Sequence, residues 1–442
     1  MLINRDVYKK YFDIAQKTVP FEYSGAVEEV IGFSIRAQGP AVSRGDLCYI
    51  ETGDDARLLQ AEVVGFDDRS VFLMPLGDMH GLRPGARIYS QHEPLSVKVG
   101  DQLMGRVLDG LGNPRDGKGD ILTNVRSSVR NTPPDPLKRK RITEPLTTGV
   151  RAIDALVTVG RGQRMGIFSG SGVGKSTLMG MIARYTNADV AVIGLVGERG
   201  REVREFIEKD LGEEGLKKSV VVVETGDSPA MLRINAAMVA TTIAEYFRDQ
   251  GKDVLLMMDS VTRVAMALRE VYLTTGEPPA TKGYPPSVFS FLPGLLERSG
   301  PAEKGTITGF YTVLVEADDF NEPVSDTVRS ILDGHIMLSR HLAHMNHYPA
   351  IDVLQSISRV LNDITDEEHK YCIQKIREIL ASYREAEDLI NIGAYVKGSN
   401  PRIDVAITKI NEVNKFLRQG IAEGPPFSES IRALKDIVSS GN

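Results

Sequence analysis

Arg164-Met165-Gly166-Ile167-Phe168-Ser169-Gly170-Ser171-Gly172-Val173-Gly174-Lys175-Ser176-Thr177 is the stretch that decides the fold. An apolar, strand-like run leads into a glycine-rich loop, and the residues from Leu178 to Tyr185 read as a helix. Alternating glycines let successive backbone N–H groups turn inward and cradle a phosphate, and the N-terminus of the following helix adds the positive end of its dipole. Lys175 is then placed to reach β- and γ-phosphates, and the Ser176 hydroxyl to coordinate Mg²⁺. The pattern G-x-x-x-x-G-K-[ST] is met except at its first glycine, which is Ser169. A plain glycine turn between strand and helix leaves Lys175 unexplained. The expected phosphate cradle is therefore Gly170, Ser171, Gly172, Val173, Gly174, Lys175, Ser176 and Thr177, and the ligands it implies are a nucleoside triphosphate and Mg²⁺.

Outward from this loop, apolar runs at Met165–Phe168, Val190–Val196, Val220–Glu224, Val254–Met258 and Ile307–Val315 alternate with helical segments, the pattern of a mainly parallel sheet covered on both faces. One helix start is marked: Ser228 as a cap, Pro229 as the first helical residue, and Met231 to Arg248 continuing it. The run Val254 to Met258 ends in Asp259, which places a carboxylate at the ligand edge of the sheet beside the Mg²⁺ site. The run Val190 to Val196 leads into Gly197-Glu198-Arg199-Gly200-Arg201-Glu202. By position alone Glu198 reads equally as a carboxylate that orients attacking water and as an acidic residue in a helix's first turn.

Upstream, residues 22–92 carry short β-like runs (Ala26–Ile35, Leu47–Glu51, Leu58–Phe66, Val71–Pro75) separated by turns, which predicts a small barrel or sandwich. Residues 93–364 form the P-loop domain, with 93–146 a loop-rich connection, and residues 365–442 a helical C-terminal domain in which Glu367 to Ala386 is the clearest stretch. Residues 1–21 hold an amphipathic helix with Val7, Tyr8, Tyr11, Phe12 and Ala15 on one side, ended by Pro20. That helix either packs on its own domain or docks a partner. The run Lys138-Arg139-Lys140-Arg141 beside prolines reads as a solvated linker, and His341, His344 and His347, three apart, as ordinary residues rather than metal ligands.

The 442 residues have 42% hydrophobic and 25% charged content and a net charge of −6. That is ordinary for a globular protein and offers no overall field for nucleic acid or anionic lipid. Two cysteines, Cys48 and Cys372, far apart, fit a reducing compartment without a disulfide framework. The N-terminus lacks an apolar core with a cleavage-like site, so a cytoplasmic protein is expected.

These motifs together resemble the catalytic subunits of rotary ATPases. Pro349-Ala350-Ile351-Asp352-Val353-Leu354-Gln355-Ser356-Ile357-Ser358-Arg359 matches that family's signature, and Asp259-Ser260-Val261-Thr262-Arg263 a second element. Within the family the chain is similar to the ATPases of bacterial type III export. This rests on the Ser169 P-loop, Gly197–Phe206, Phe310–Glu316 and Ile331–Ile336, and the run from Gly276 to Phe289 looks like the flagellar version rather than the virulence one. The resemblance implies that Glu198 orients water, Arg359 reaches a neighbouring subunit's γ-phosphate, Tyr348 stacks on adenine, and Arg199 and Arg263 line the γ-phosphate pocket. It also implies a homohexameric ring, a stator-like regulatory subunit on the N-terminal helix, and a central stalk-like export protein. Export gate membrane proteins, export substrates and their chaperones complete the set, at the cytoplasmic face of the inner membrane. Three other readings fit less well. A proton-translocating ATP synthase subunit is disfavoured by the Gly276–Phe289 run. An RNA-translocating terminator needs a basic barrel with stacking aromatics, whereas this one has acidic turns and the chain has no Trp. A non-catalytic scaffold leaves Lys175, Glu198, Asp259 and Arg359 without purpose.

Overall fold

The computed structural model describes residues 24–53, 57–315 and 322–439. The amphipathic segment expected over residues 1–21, and Glu316 of the quoted Phe310–Glu316 motif, lie outside them. The chain divides into two compact units, one running up to Leu95 with Thr274–Gly276, the other Ser96–Leu273 with Glu277–Asn442.

The first unit is a closed antiparallel barrel of β1 (Gly25–Ile31), β2 (Ser34–Gln38), β3 (Asp46–Glu51), β4 (Leu58–Phe66), β5 (Val71–Pro75) and β6 (Arg87–Pro94), ordered β1-β2-β5-β4-β3-β6. Alternating residues (Ile35, Ala37, Cys48, Ile50, Ala61, Leu73, Ile88) fill its interior, as the two-residue period of a strand requires. The expected single run Ala26–Ile35 is two strands. Gly32, at φ 59°, adopts the left-handed conformation that turns the chain, and Ile31 pairs with Ser34 across it.

The second unit is built on a nine-stranded sheet. Its strands are β8 (Arg106–Leu108), β10 (Arg164–Ser169), β11 (Val190–Glu198), β12 (Ser219–Thr225), β13 (Asp253–Asp259), β14 (Gly300–Pro301), β15 (Thr306–Leu314), β16 (Gly334–Leu338) and β17 (Ile357–Ser358). A separate pair, β7 (Ser96–Lys98) and β9 (Arg126–Ser128), lies beside it in sequence. The main path is β17-β16-β10-β15-β13-β11-β12-β8, parallel except at β17 and at β14, which pairs with β15. All five expected strands are present. The loop-rich connection expected over residues 93–146 also carries the edge strand β8.

Both faces of the sheet are covered. Ala191, Ile193, Leu195, Val221, Val223, Leu255 and Met257 share a core with the helix Lys175–Tyr185 and with Ile373, Ile376, Val413, Phe416 and Leu434 of the C-terminal helices. The alternate residues Val192, Val220, Val222, Leu256 and Met258 are buried on the other face, where Gly194 lets the helix Ala230–Asp249 approach: a Cβ there would lie 3.2 Å from that of Ala240. Each fully buried Val, Leu or Ile contributes about 1.5–3 kcal/mol relative to exposure, so this two-sided burial is the main force holding the sheet flat against its helices. The Ala230–Asp249 helix starts one residue later than expected. Pro229 is its N-cap, with an extended ψ of 146°, and Ser228 makes no capping bond. The C-terminal part comprises the helices Glu367–Asn391, Pro401–Leu417 and Phe427–Ser439. No helix among the described residues is long and apolar enough to cross a membrane.

Candidate active site

The strands β10, β11, β13 and β15 run parallel, so their C-terminal ends open at one edge, and there the sequence motifs converge. A cavity of about 720 Å³ is lined by the whole loop from Ser169 to Thr177 apart from Val173, together with Glu198, Arg199, Thr262 and Arg263. Val173 is buried beneath the loop as its apolar anchor. Gly172 and Gly174 carry φ values of 78° and 87°, a conformation that costs a side-chain-bearing residue dearly, and Gly174 is the N-cap of the helix Lys175–Tyr185. The Ser169 hydroxyl is buried at the cavity wall with no hydrogen-bond partner among the described residues.

Lys175 lies between two carboxylates. Its Nζ donates to Oδ1 of Asp259 at 2.5 Å and to Oε1 of Glu198 at 3.3 Å, with all three side chains at most 13% exposed. Burial works against the ammonium, but Asp259 and then Glu198 outweigh it and hold the pKa of Lys175 above the ordinary lysine value. For Glu198, burial and the nearby Asp259 charge push the pKa above the usual carboxylate range, with Lys175 opposing. Asp259 is fixed from its other side by the Thr312 hydroxyl, which donates to Oδ1 at 2.6 Å.

The aim of Glu198 has a backbone cause. The pairing of β11 with β12 slips between Val196 and Glu198, and Gly197 takes φ 74° within that irregularity. Such a bulge re-aims the residue after it. Gly197 also has to be glycine, because a Cβ would lie 2.8 Å from the Cβ of Arg263, whose side chain crosses over it. Arg263 is half-buried along the cavity, its Nε without a partner among the described residues, whereas Arg199 is 82% exposed and pairs with Glu202 at 3.4 Å. Tyr348 is 41% exposed, and its ring edge lies 3.5 Å from where a side chain on Gly174 would begin, so it stands over the mouth of the phosphate loop.

Arg359 is not at this site. It follows β17, whose Ser358 pairs with Gly334 at the start of β16, and its N–H donates to the Asp333 carbonyl at 2.9 Å. Asp333 in turn flanks Arg164, the first residue of β10, whose last residue is Ser169. Five residues of strand at about 3.3 Å each put Arg359 roughly 17 Å from its own phosphate loop, at the opposite edge of the sheet. The three histidines also part company: His341 and His344 are exposed, while His347 is buried and pushed down to about 4 by that burial. Arg139 of the basic run turns inward and donates to the Ser299 carbonyl at 2.7 Å.

Asp210, Arg340 and Thr262 also line the cavity, Thr262 with a hydroxyl that accepts from the Leu314 N–H at 2.9 Å, and Thr312 braces Asp259. Thr262 and Thr312 lie inside the quoted runs Asp259–Arg263 and Phe310–Glu316 without having been assigned a role, and Asp210 and Arg340 carry no local sequence signal.

Three family models match, one after another along the chain. They are the β-barrel domain of the ATP synthase alpha/beta family over residues 27–91, that family's nucleotide-binding domain over 149–358, and the type III secretion EscN ATPase C-terminal domain over 365–436. The chain belongs to the ATP synthase alpha/beta family, in its type III export branch. It is 55% identical over 431 residues to the flagellum-specific ATP synthase of Bacillus subtilis, covering 97% of this chain and 98% of that one. It is 49% identical over 414 residues to the type 3 secretion system ATPase of Xanthomonas euvesicatoria, covering 94% of each. The assembled ATPase EscN of enteropathogenic E. coli superposes with a TM-score of 0.89 at 46% identity, over 94% of this chain and all of that one. EscN has also been solved in complex with its central stalk EscO (TM-score 0.87). The protein is an ATPase with a barrel, a nucleotide-binding α/β domain and a helical C-terminal region, and it uses ATP.

Proposed function

We propose that this ATPase is the motor subunit of the flagellar protein export apparatus, hydrolysing Mg-ATP at sites completed by a second copy of the chain. The observation that carries this reading is the separation of the catalytic parts: Lys175 bonds both Glu198 and Asp259 at the phosphate loop, while Arg359 stands exposed at the far edge of the same sheet. Flagellum-specific relatives and the Gly276–Phe289 run favour the flagellar system over the virulence one.

The loop N–H groups and Lys175 hold the phosphates, and Lys175 exchanges its carboxylate partners for the β,γ-oxygens. Ser176 and Asp259 offer the hard oxygen donors that Mg²⁺ prefers, and the ion would neutralise charge on the transferring phosphoryl group. Glu198, aimed by the Gly197 bulge, orients and polarises the attacking water. Arg263 lies along the cavity wall where γ-phosphate oxygens would stand, and Arg199 at its rim. Tyr348 carries the adenine ring. Arg359 supplies its guanidinium to the neighbour's γ-phosphate, so a lone chain binds ATP but turns it over poorly. A ring, a central stalk partner of the kind EscN binds, a regulatory subunit on residues 1–21, and a cytoplasmic position at the membrane face belong to the same proposal.

The test is complementation. Arg359→Ala alone should lower turnover by about 10³–10⁵-fold, the worth of an arginine finger, and wild-type specific activity should rise steeply with protein concentration. Mixing Arg359→Ala with Lys175→Ala subunits creates interfaces with an intact cradle and an intact finger, and part of the activity should return. Co-assembly without recovery would overturn the shared-site reading.

A further inference from the structure

The residue that reaches outward, Arg359, is held by a polar hub at the foot of the phosphate-loop strand. The Asp333 carboxylate accepts from Arg164 at both guanidinium Nε and Nη2, each at 3.0 Å, and from the Arg164 backbone N–H at 3.1 Å. The Asp333 N–H returns a bond to the Arg164 carbonyl at 2.9 Å. The Asp333 carbonyl accepts from two groups, the Arg359 N–H at 2.9 Å and the Gln163 side-chain amide at 2.9 Å. That same amide donates to the Ser358 hydroxyl at 3.1 Å, while its oxygen takes the Gly160 N–H at 2.8 Å. Gln163 is fully buried, and its carbonyl accepts from the Gly309 N–H in β15 at 3.0 Å. A Cβ on Gly334 would lie 2.4 Å from the Ile357 carbonyl, so β17 is pressed directly on the β16 backbone.

We infer that Asp333, Gln163 and Ser358 are positioning residues for Arg359, fixing the backbone from which it projects into the neighbouring subunit's site. This rests on the shared-site reading above and extends it. An arginine finger acts only where its guanidinium meets the developing charge, and a misplacement of about 1 Å can cost about 10²-fold in rate. A side chain as long as arginine's magnifies any swing of its own Cα, so the two residues at its root need fixing more than its tip does. The hub supplies that fixing with charge-assisted bonds in a mostly dry setting, where they are strongest. It also joins both sites mechanically. The strand whose C-terminal end cradles this chain's ATP is the strand whose N-terminal end holds the finger this chain offers to its neighbour.

The test uses full-length protein. Asp333→Asn keeps the carbonyl that receives Arg359 but loses the charge that locks Arg164. Its turnover should fall by about 10²-fold, while equilibrium binding of a non-hydrolysable ATP analogue stays as in wild type. Mixed with Lys175→Ala subunits, which bring an intact finger, the Asp333→Asn cradle should regain activity; mixed with Arg359→Ala subunits it should not. Full activity of Asp333→Asn alone overturns the inference. So does an inactive variant that Lys175→Ala subunits fail to rescue, since the hub would then serve its own cradle. The Arg359→Ala and Lys175→Ala mixture is run alongside, and its failure would strike the shared-site reading instead. Ser358→Ala, a milder change, should lower kcat several-fold with KM unchanged; a changed KM with constant kcat counts against a positioning role.

Discussion

Two cations stand at opposite ends of the region built on β10, and their surroundings differ sharply. Lys175 is 13% exposed and held between Asp259 and Glu198, its charge fully answered by its own chain. Arg359 is exposed, and its guanidinium makes no hydrogen bond or ion pair to any described residue; only its backbone is pinned, at Asp333. A buried ammonium needs compensation before any ligand arrives, because an unpaired buried charge costs several kcal/mol. An exposed guanidinium needs none, and gains most when a partner surface removes water around it. On the proposed shared-site reading, the cradle is complete within one chain as a binding site and needs a second chain's Arg359 as a catalyst.

The most severe way to break that contrast is Lys175→Ala. It removes the cation that pairs with both Asp259 and Glu198, and with it the charge proposed to hold the β,γ-phosphates. Turnover should fall by about 10³-fold or more, with ATP binding sharply weakened, while circular dichroism shows the sheet and helices retained. Retained turnover would show that the cradle assignment is wrong. Unlike the Arg359 variant, this one loses binding as well as rate, and that difference is the comparison in experimental form.

The cradle was legible in the sequence because its chemistry is contiguous. Strand, loop, Lys175 and Ser176 follow one another, and Asp259 ends an unbroken apolar run, so local pattern and spatial result coincide. Arg359 and Tyr348 carried no local signal, and only the resemblance to a known family singled them out. Thr312 sits on β15 and meets Asp259 because β13 and β15 are neighbours, a fact of strand order rather than of spacing. The same limit explains β8 and β17, three and two residues long, too short to show any period. It explains the split of Ala26–Ile35 as well, where one glycine turns a run that otherwise reads as a single strand.

A sharper division within the cradle separates holding from chemistry. Glu198→Gln keeps shape and hydrogen bonding but loses the charge that polarises water. Near-normal Mg-ATP affinity with hydrolysis lowered by about 10²-fold or more is expected; equal losses in both would assign Glu198 to structure. The pH profile adds a second readout. Burial and Asp259 raise the pKa of Glu198, and in its proposed role the working form is the carboxylate. Activity should therefore fall as pH drops through a value above the ordinary glutamate range, not below it. In Glu198→Gln that acidic limb of kcat/KM should vanish from the residual rate.

The smallest effect belongs to Tyr348, at the margin between the closed cradle and the open face. Its ring stands by Gly174, 41% of the residue is exposed, and it has no charge to contribute to phosphoryl transfer. Base–aromatic stacking is worth about 1–3 kcal/mol and acts equally on ground and transition states. Tyr348→Ala should raise KM for ATP by about tenfold, at 1.4 kcal/mol per decade, and leave kcat at saturation nearly unchanged. Tyr348→Phe should be close to wild type, because the ring and not the hydroxyl does the stacking. GTP should suffer in the same proportion as ATP, since stacking reads a flat surface and not its hydrogen-bonding edge. A fall in kcat with KM intact would instead place Tyr348 among the parts that shape the transition state, and would move the line between binding and catalysis into the open face itself.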